Sequence, residues 1–545
     1  MIDPKLSPRR LSGQLTTLYD SRDIYDNLIP QDHPLRRLKQ QVDFSYVRQV
    51  VRDSRLYSDS TGRYALDPEL FAKLCFLITY YRVSLREAQS RAATDLCWKF
   101  FLDLEITDPP PFDFTTLSKT RSRYGEKTCK LMAQGLLKQA AAAGLLHGHR
   151  LLVDSASSYA DVAVLKSIEL VRRITDKLRE ALRPVLPQEE VQQLAARHLQ
   201  LRQDNAWYQS LELKMDHLDR WALLCAELAA RAEQILAAPG LVGQLGDWPR
   251  HQQRIRRQVE VARHFLADQQ PKPPSEKKDQ LASATDPDAR HSNRRGDRDK
   301  IGYRGHILMD EESELILAAE GTPANTDDGV MLPDLLEQAL QQGFEPQELI
   351  ADSAYADGAN RQLLAEEQIE AFIPQPPPKG SRKSKFKTTD FSYDPEANSV
   401  TCPAGQVCPR GRPNWKKGGQ TFSFPVAVCR ACPLCQDCLG PSFKRGRSLH
   451  IPLHRPLLDA ARRKQKTPEH RRAMKRRLAI ERKLAEMLNT LGLRRCRYRG
   501  LSRYQEQLQW AVFASNAIQL SKLLSRAGGP FSAAPAALLT WAQAA

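Results

Sequence analysis

With two long interruptions set aside, the chain reads strand, strand, strand, helix, strand, helix, strand, helix. That order restricts it to a mixed sheet flanked by helices. The first strand is predicted at 150–154, where the apolar run Leu151-Leu152-Val153 meets Asp154. Strands at 303–309 and 315–320 are joined by the turn Asp310-Glu311-Glu312-Ser313. A helix near 330–341 leads to a strand at 349–352. A helix near 358–367 and a strand at 371–373, stopped by Pro374, complete the series.

The first interruption, 160–267, is helical. Val171, Ile174, Leu178 and Leu182 recur at helical spacing, as do Leu224, Leu228 and Ile235. Residues 268–300 are polar and proline-containing, the composition of a flexible linker. The second interruption, 390–445, is cysteine-rich. Residues 1–149 read as helices. Pro68 opens a helix over 68–81. Ser84 caps the next, with Glu87 three residues on. Thr115 or Thr116 caps a short basic helix carrying Lys119, Arg121 and Arg123.

The formal net charge is +17, from 81 basic and 64 acidic residues, with a pI near 9.4. Such an excess favours a polyanionic partner, most often nucleic acid. No apolar run reaches the ~18–20 residues of a membrane span. The opening MIDPKLSPRR lacks a hydrophobic signal core. The expectation is a cytoplasmic protein of bacterial style, associated with the nucleoid and with no membrane partner. Arg471, Arg472, Lys475, Arg476 and Arg477 form one dense cationic block suited to phosphates. Tyr498, Tyr504 and Trp510 flank it, for base stacking or for core packing.

Asp154 and Asp352 each follow an apolar run, and Glu481 lies in a later basic helix. An aspartate at a strand end is most often a cap or turn residue. Two such carboxylates and one from a helix are also a ligand set for two hard cations, Mg²⁺ or Mn²⁺. Arg477 precedes Glu481 by one helical turn, on the same face. It either pairs with the carboxylate or grips a phosphate. In the second interruption, Cys402-x5-Cys408 is followed by Cys429-x2-Cys432-x2-Cys435-x2-Cys438. Tight spacing in a reducing compartment favours metal over disulfides. Cys402, Cys429, Cys432 and Cys438 are the preferred set for a structural Zn²⁺. An iron–sulfur cluster and no metal at all are the alternatives.

Together these segments resemble the DDE transposases of bacterial insertion sequences, which have an RNase H-like core. The resemblance runs through Asp32-His33-Pro34-Leu35-Arg36, Gly62-Arg63 and Asp67-Pro68, then FDFTTLSKTRSRYG at 112–125 and Val153-Asp154-Ser155. It continues through Thr285-Asp286-Pro287-Asp288-Ala289-Arg290, Gly302-Tyr303 and Thr322-Pro323-Ala324-Asn325. Ala351-Asp352-Ser353-Ala354-Tyr355, Arg477-x3-Glu481 and Tyr498-Arg499-Gly500-Leu501 close the series, with Gln507 and Asn516.

The resemblance implies metal-dependent cleavage at transposon ends and strand transfer into target DNA. Asp154, Asp352 and Glu481 would hold two Mg²⁺ or Mn²⁺ ions, with Arg477 beside them. Lys119, Arg121 and Arg123 would read the terminal repeat; Arg471, Arg472, Lys475 and Arg476 would hold phosphates. A homo-oligomer, dimer or higher, would pair the ends. The chain departs from the family where a Tyr and a Lys are usual, with Met474 and Leu488. Lys483, Arg494 or Arg495 are the substitutes for that lysine. An RNase H-like nuclease without strand transfer, or an inactive DNA-binding regulator, are the competing readings.

The expected organisation is a helical N-terminal DNA-binding domain at 1–149 and the first core strand at 150–159. The helical insertion at 160–267 and the linker at 268–300 follow. The core resumes at 301–389. The cysteine-rich insertion occupies 390–445, and the final catalytic helix with C-terminal helices 446–545.

Overall fold

The computed structural model describes residues 21–57, 65–163, 165, 167–204, 206–237, 247–270, 273, 279–294, 296–297, 300–377, 384–414, 418–441 and 443–527. The opening MIDPKLSPRR and Gly62-Arg63 lie outside these residues. So does part of the expected linker.

A mixed sheet forms the centre: β1 (Arg150–Tyr159), β2 (Arg290–His291), β3 (Ile301–Asp310), β4 (Ile316–Pro323), β5 (Glu348–Ile350) and β6 (Glu370–Phe372). Its order is β2-β3-β1-β5-β6, with β4 also on β3. β1 runs antiparallel to β3 and parallel to β5; β5 runs parallel to β6. Helices flank the sheet, so the expected α/β class holds. β3 is buried along its whole length. Its polar residues Arg304 and His306 must therefore find partners inside.

The N-terminal helices share this core. Phe44 packs on Phe513 and Phe71 on Trp510, with ring centroids 5.9 and 5.7 Å apart. Phe513 and Trp510 belong to the Leu501–Arg526 helix, which is buried over most of its length. That helix also seals β4 with side-chain amides. Gln505 exchanges two hydrogen bonds with the Gly321 backbone, and Asn516 does the same with Ile316. Gln509 donates to the Ala319 carbonyl and Gln519 to that of Ser313. An edge strand would otherwise offer unpaired backbone groups. Tyr504 lies so close to β3 and β4 that a Cβ at Gly305 or Gly321 would come within 2.9 Å of it.

The insertion has a separate core. Val171, Ile174, Leu178 and Leu182 meet Trp221, Leu224, Leu228 and Ile235, then Ile255 and Phe265. The cysteine-rich segment has a third, built on Phe391, Val400, Phe422, Phe424, Leu449 and Ile451.

Three expectations change. The basic N-terminal helix is capped by Asp113 rather than Thr115 or Thr116, because its carboxylate accepts both of their backbone N–H groups. The helix then runs to Ala142, across a kink at Gly125. The loose linker expected over 268–300 fails for its described residues 281–294. Asp286 is fully buried, accepting from the Tyr303 hydroxyl at 2.5 Å and the Gly500 N–H at 2.9 Å. Asp288 accepts the Leu501 N–H. Polarity there reflects satisfied buried groups rather than solvation. Finally, Asp154 is not at a strand end, since β1 continues to Tyr159.

Candidate active site

Leu152 lies opposite Ile350 in the parallel β1–β5 pair. Asp154 and Asp352 each lie two residues further on, Asp154 within β1 and Asp352 just past the end of β5. β5 ends at Ile350, which leaves β1 open beside Asp154. The Leu478–Asn489 helix packs there. Arg477, at its start, donates to Asp154 Oδ2 at 2.9 Å and also pairs with Glu481. Asp154 and Glu481 thus meet through one guanidinium. Asp352 caps the short turn Ser353–Tyr355 by accepting the Ala354 N–H at 2.8 Å.

Burial pushes the Asp154 carboxyl up to about 6. The Ser155 N–H opposes this, the Asp352 charge adds to it, and Arg477 and Arg294 oppose it. Tyr355 is fully buried beside these acids, its hydroxyl without a hydrogen-bond partner among the described residues. Among the described residues, no three His, Cys, Asp or Glu side chains stand ready to enclose a metal ion.

A buried acid that sequence reasoning missed adjoins the site. Asp328 accepts from the Ser155 hydroxyl at 2.7 Å, Arg304 at 2.9 Å and Arg294 at 3.2 Å. Arg294 also bonds the Ser155 carbonyl and hydroxyl. Burial works to raise Asp328, but Arg304, Ser155 and Arg294 outweigh it and hold the carboxyl below its ordinary range. Nothing in the local pattern around Asp328 marks it; its main partners lie on other strands and loops.

The cationic residues divide. Lys119, Arg123, Arg471, Arg472 and Lys475 are exposed, with Arg123 lying over the Tyr57 ring. Arg121 is removed from the DNA-facing set. It is buried, pairs with Glu506 and lies 3.7 Å over the Tyr498 ring. Arg476 is half-buried and ties to Glu348 at 2.8 Å and Glu311 at 3.4 Å, so it braces the sheet. Lys483 is buried against Glu486 and is no substitute for a DNA-facing lysine. Tyr504, stacked on Tyr303, and Trp510 are core residues.

Cys402, Cys429, Cys432, Cys435 and Cys438 line one small pocket with Arg447. All five are free thiols. The Arg447 N–H donates to Cys429 Sγ at 3.4 Å. Cys435, left out of the sequence-based set, belongs to this lining. Cys408 instead points to the Arg410 and Ser423 carbonyls.

Residues 23–123 match the model of a transposase domain (DUF772), and residues 262–517 match the transposase DDE domain. The chain belongs to the DDE transposases of insertion sequences. The second match contains Asp352, Arg477 and Glu481, while Asp154 and most of the helical insertion fall between the two matches. No curated protein and no solved structure matches the chain. Enzymes of this family use divalent metal ions and act on DNA. Among the described residues no helix is long and apolar enough to cross a membrane.

Proposed function

We propose that the chain cuts DNA at transposon ends and joins the freed 3′ ends to target DNA. The observation that carries this is the meeting of Asp154 and Glu481 at Arg477, with Asp352 just past the end of the neighbouring strand and its charge acting on Asp154. The donor set fits hard divalent cations. It is all carboxylate oxygen, and Asp154, raised by burial and by a like charge, lacks full compensation. Asp154, Asp352 and Glu481 would hold the two ions. When bound, these would lower the pKa of a water and offset charge on the leaving oxygen.

The first reaction breaks a phosphodiester: water oxygen bonds to phosphorus, the 3′ oxygen leaves and takes up a proton to become a 3′-OH, and the 5′ side keeps the phosphate. In the second, that 3′-OH attacks a target phosphodiester and displaces another 3′ oxygen. Both are in-line transfers, so positioning and charge stabilisation dominate. Arg477 is placed to leave the carboxylates and take a phosphate oxygen. Lys119, Arg123, Arg471, Arg472 and Lys475 are free to meet the duplex backbone. We propose the five-thiol pocket as a structural Zn²⁺ site using four of its cysteines; the Arg447 N–H to Cys429 Sγ bond is the kind that holds a ligating thiolate.

The test is cleavage and strand transfer with DNA from the borders of the gene. Asp154→Ala, Asp352→Ala and Glu481→Ala should each cut at least about 10³-fold more slowly, with DNA still bound. Cleavage by all three variants would overturn the assignment. Cutting without joining of pre-cleaved ends would leave a nuclease.

A further inference from the structure

We propose that Arg173, Lys177, Arg257 and Arg499 form a second site for the phosphate backbone of duplex DNA, fastening the helical insertion and the catalytic core to one ligand. This rests on the reading of the chain as a transposase and names a DNA contact outside the carboxylate cleft.

Four cations from three segments are brought together by fixed contacts. Lys177, in the Ser167–Leu182 helix, donates to the Ala284 carbonyl at 3.0 Å. Arg173 is one turn earlier on the same face. Two residues beyond Ala284, Asp286 holds the Gly500 N–H, and Asp288 holds that of Leu501. Arg499 is therefore anchored beside the same turn. The Trp248–Asp268 helix packs its Ile255 and Val259 into the insertion core and carries Arg257 on its outside. Arg257 is close enough to act electrostatically on both Lys177 and Asp286.

The cluster carries more positive charge than its neighbouring acids offset. Arg173, Arg257 and Arg499 are exposed, and none has an ion-pair partner among the described residues. The nearby acids are engaged. Asp286 and Asp288 accept the bonds already named, and Glu180, 3.7 Å from Arg254, offsets only part of the charge around Lys177. Burial, then the charges of Arg173, Arg499 and Arg257, hold the Lys177 ammonium below its ordinary range. Like charges gathered at this density repel unless a polyanion joins them. A string of phosphates suits such a cluster better than a single small anion, because its cations come from separate segments.

The placement relative to the cleft also fits a duplex. β1 leads from Asp154 to Tyr159, whose backbone bonds to Arg494 and Cys496. Those five residues of strand span about 17 Å. That is roughly five base pairs of duplex. Arg499 lies three residues beyond Cys496, on the segment bonded to that far end of β1.

The test is equilibrium binding of full-length protein to a 30-base-pair mixed-sequence duplex over a salt series, without metal. Arg173→Ala/Lys177→Ala/Arg257→Ala should weaken binding about 10-fold or more at moderate salt. It should reduce the slope of log K against log salt by about 2 to 3. Arg499→Ala, alone and on the core side, should lower the slope by about 1. A folded triple variant with wild-type affinity and slope would overturn the proposal. So would polyglutamate displacing the duplex as well as unlabelled duplex does, since the site would then take any polyanion. The slope is read without cleavage, so a protein that binds duplex and never cuts it defeats only the transposition reading.

Discussion

Asp154 and Asp328 are both buried, both touch Ser155, and hold their protons in opposite ways. The Ser155 N–H donates to Asp154 at 2.7 Å; its hydroxyl donates to Asp328, also at 2.7 Å. Their side chains are 13% and 10% exposed, so burial does not separate them. Partners do. Asp328 receives Arg304 and Arg294 as well as the serine hydroxyl. Asp154 shares its one directly bonded guanidinium with Glu481 and faces the charge of Asp352. The matched carboxylate is architecture. The under-matched one is poised for added positive charge.

The largest effect should come from breaking the matched side. Asp328→Ala strands Arg304 and Arg294 and should cost about 3–5 kcal/mol in urea unfolding. Because Asp328 is held low, its stabilisation is present above the ordinary carboxylate range and is lost as pH falls below it. The deficit of the variant should therefore shrink in acid. A variant as stable as wild type would place Asp328 outside the framework.

Asp154→Asn should move the other way. A folded-state value near 6 means that ionised Asp154 destabilises the metal-free protein above that pH. With chelator present, the variant should gain up to about 3 kcal/mol at pH 8. The gain should fade between pH 6 and 4. A loss at pH 8 would show that Arg477 already compensates the carboxylate in full.

The smallest effect concerns His306, buried behind Asp328 and bonded to Thr322 at 2.9 Å. Burial pushes it down to about 4. Its stability contribution is present above pH 6.5 and is lost as pH falls toward 4. His306→Gln should flatten that limb, by about 2 kcal/mol at pH 5 relative to neutral pH. Thermal melts from pH 7 to 5 read this directly.

Legibility followed the range of the interactions. The Pro68–Tyr81 helix and the β3–β4 hairpin are set by local periodicity and turn chemistry, and their sequence signals place them closely. The proximity of Arg477 to Glu481 is equally local. Arg121 was misjudged because its partner Glu506 is 385 residues away, and a basic residue in a basic helix gives no sign of burial. Asp328 was passed over for the same reason, its serine partner lying 173 residues earlier. Asp154 shows a subtler limit. The apolar run predicts a strand over 150–154, but the polar residues after it stay in the sheet because the Ser155 and Ser158 hydroxyls bond Asp328 and Tyr504 inside it.

The seam between β4 and the Leu501–Arg526 helix behaves like two rulers with different graduations. From Gln505 to Asn516 the helix advances eleven residues, about 16 Å. From Gly321 to Ile316 the strand covers nearly the same length in five. The marks coincide only at this offset, and eleven residues also bring the helix back to the same face. Gln509, Trp510 and Phe513 lie between the coincident marks and have their own partners, and above all the number of residues there is fixed. One residue gained or lost there turns the distal amides about 100° away from the strand. Divergence along this stretch should therefore proceed by replacement, never by a change of length.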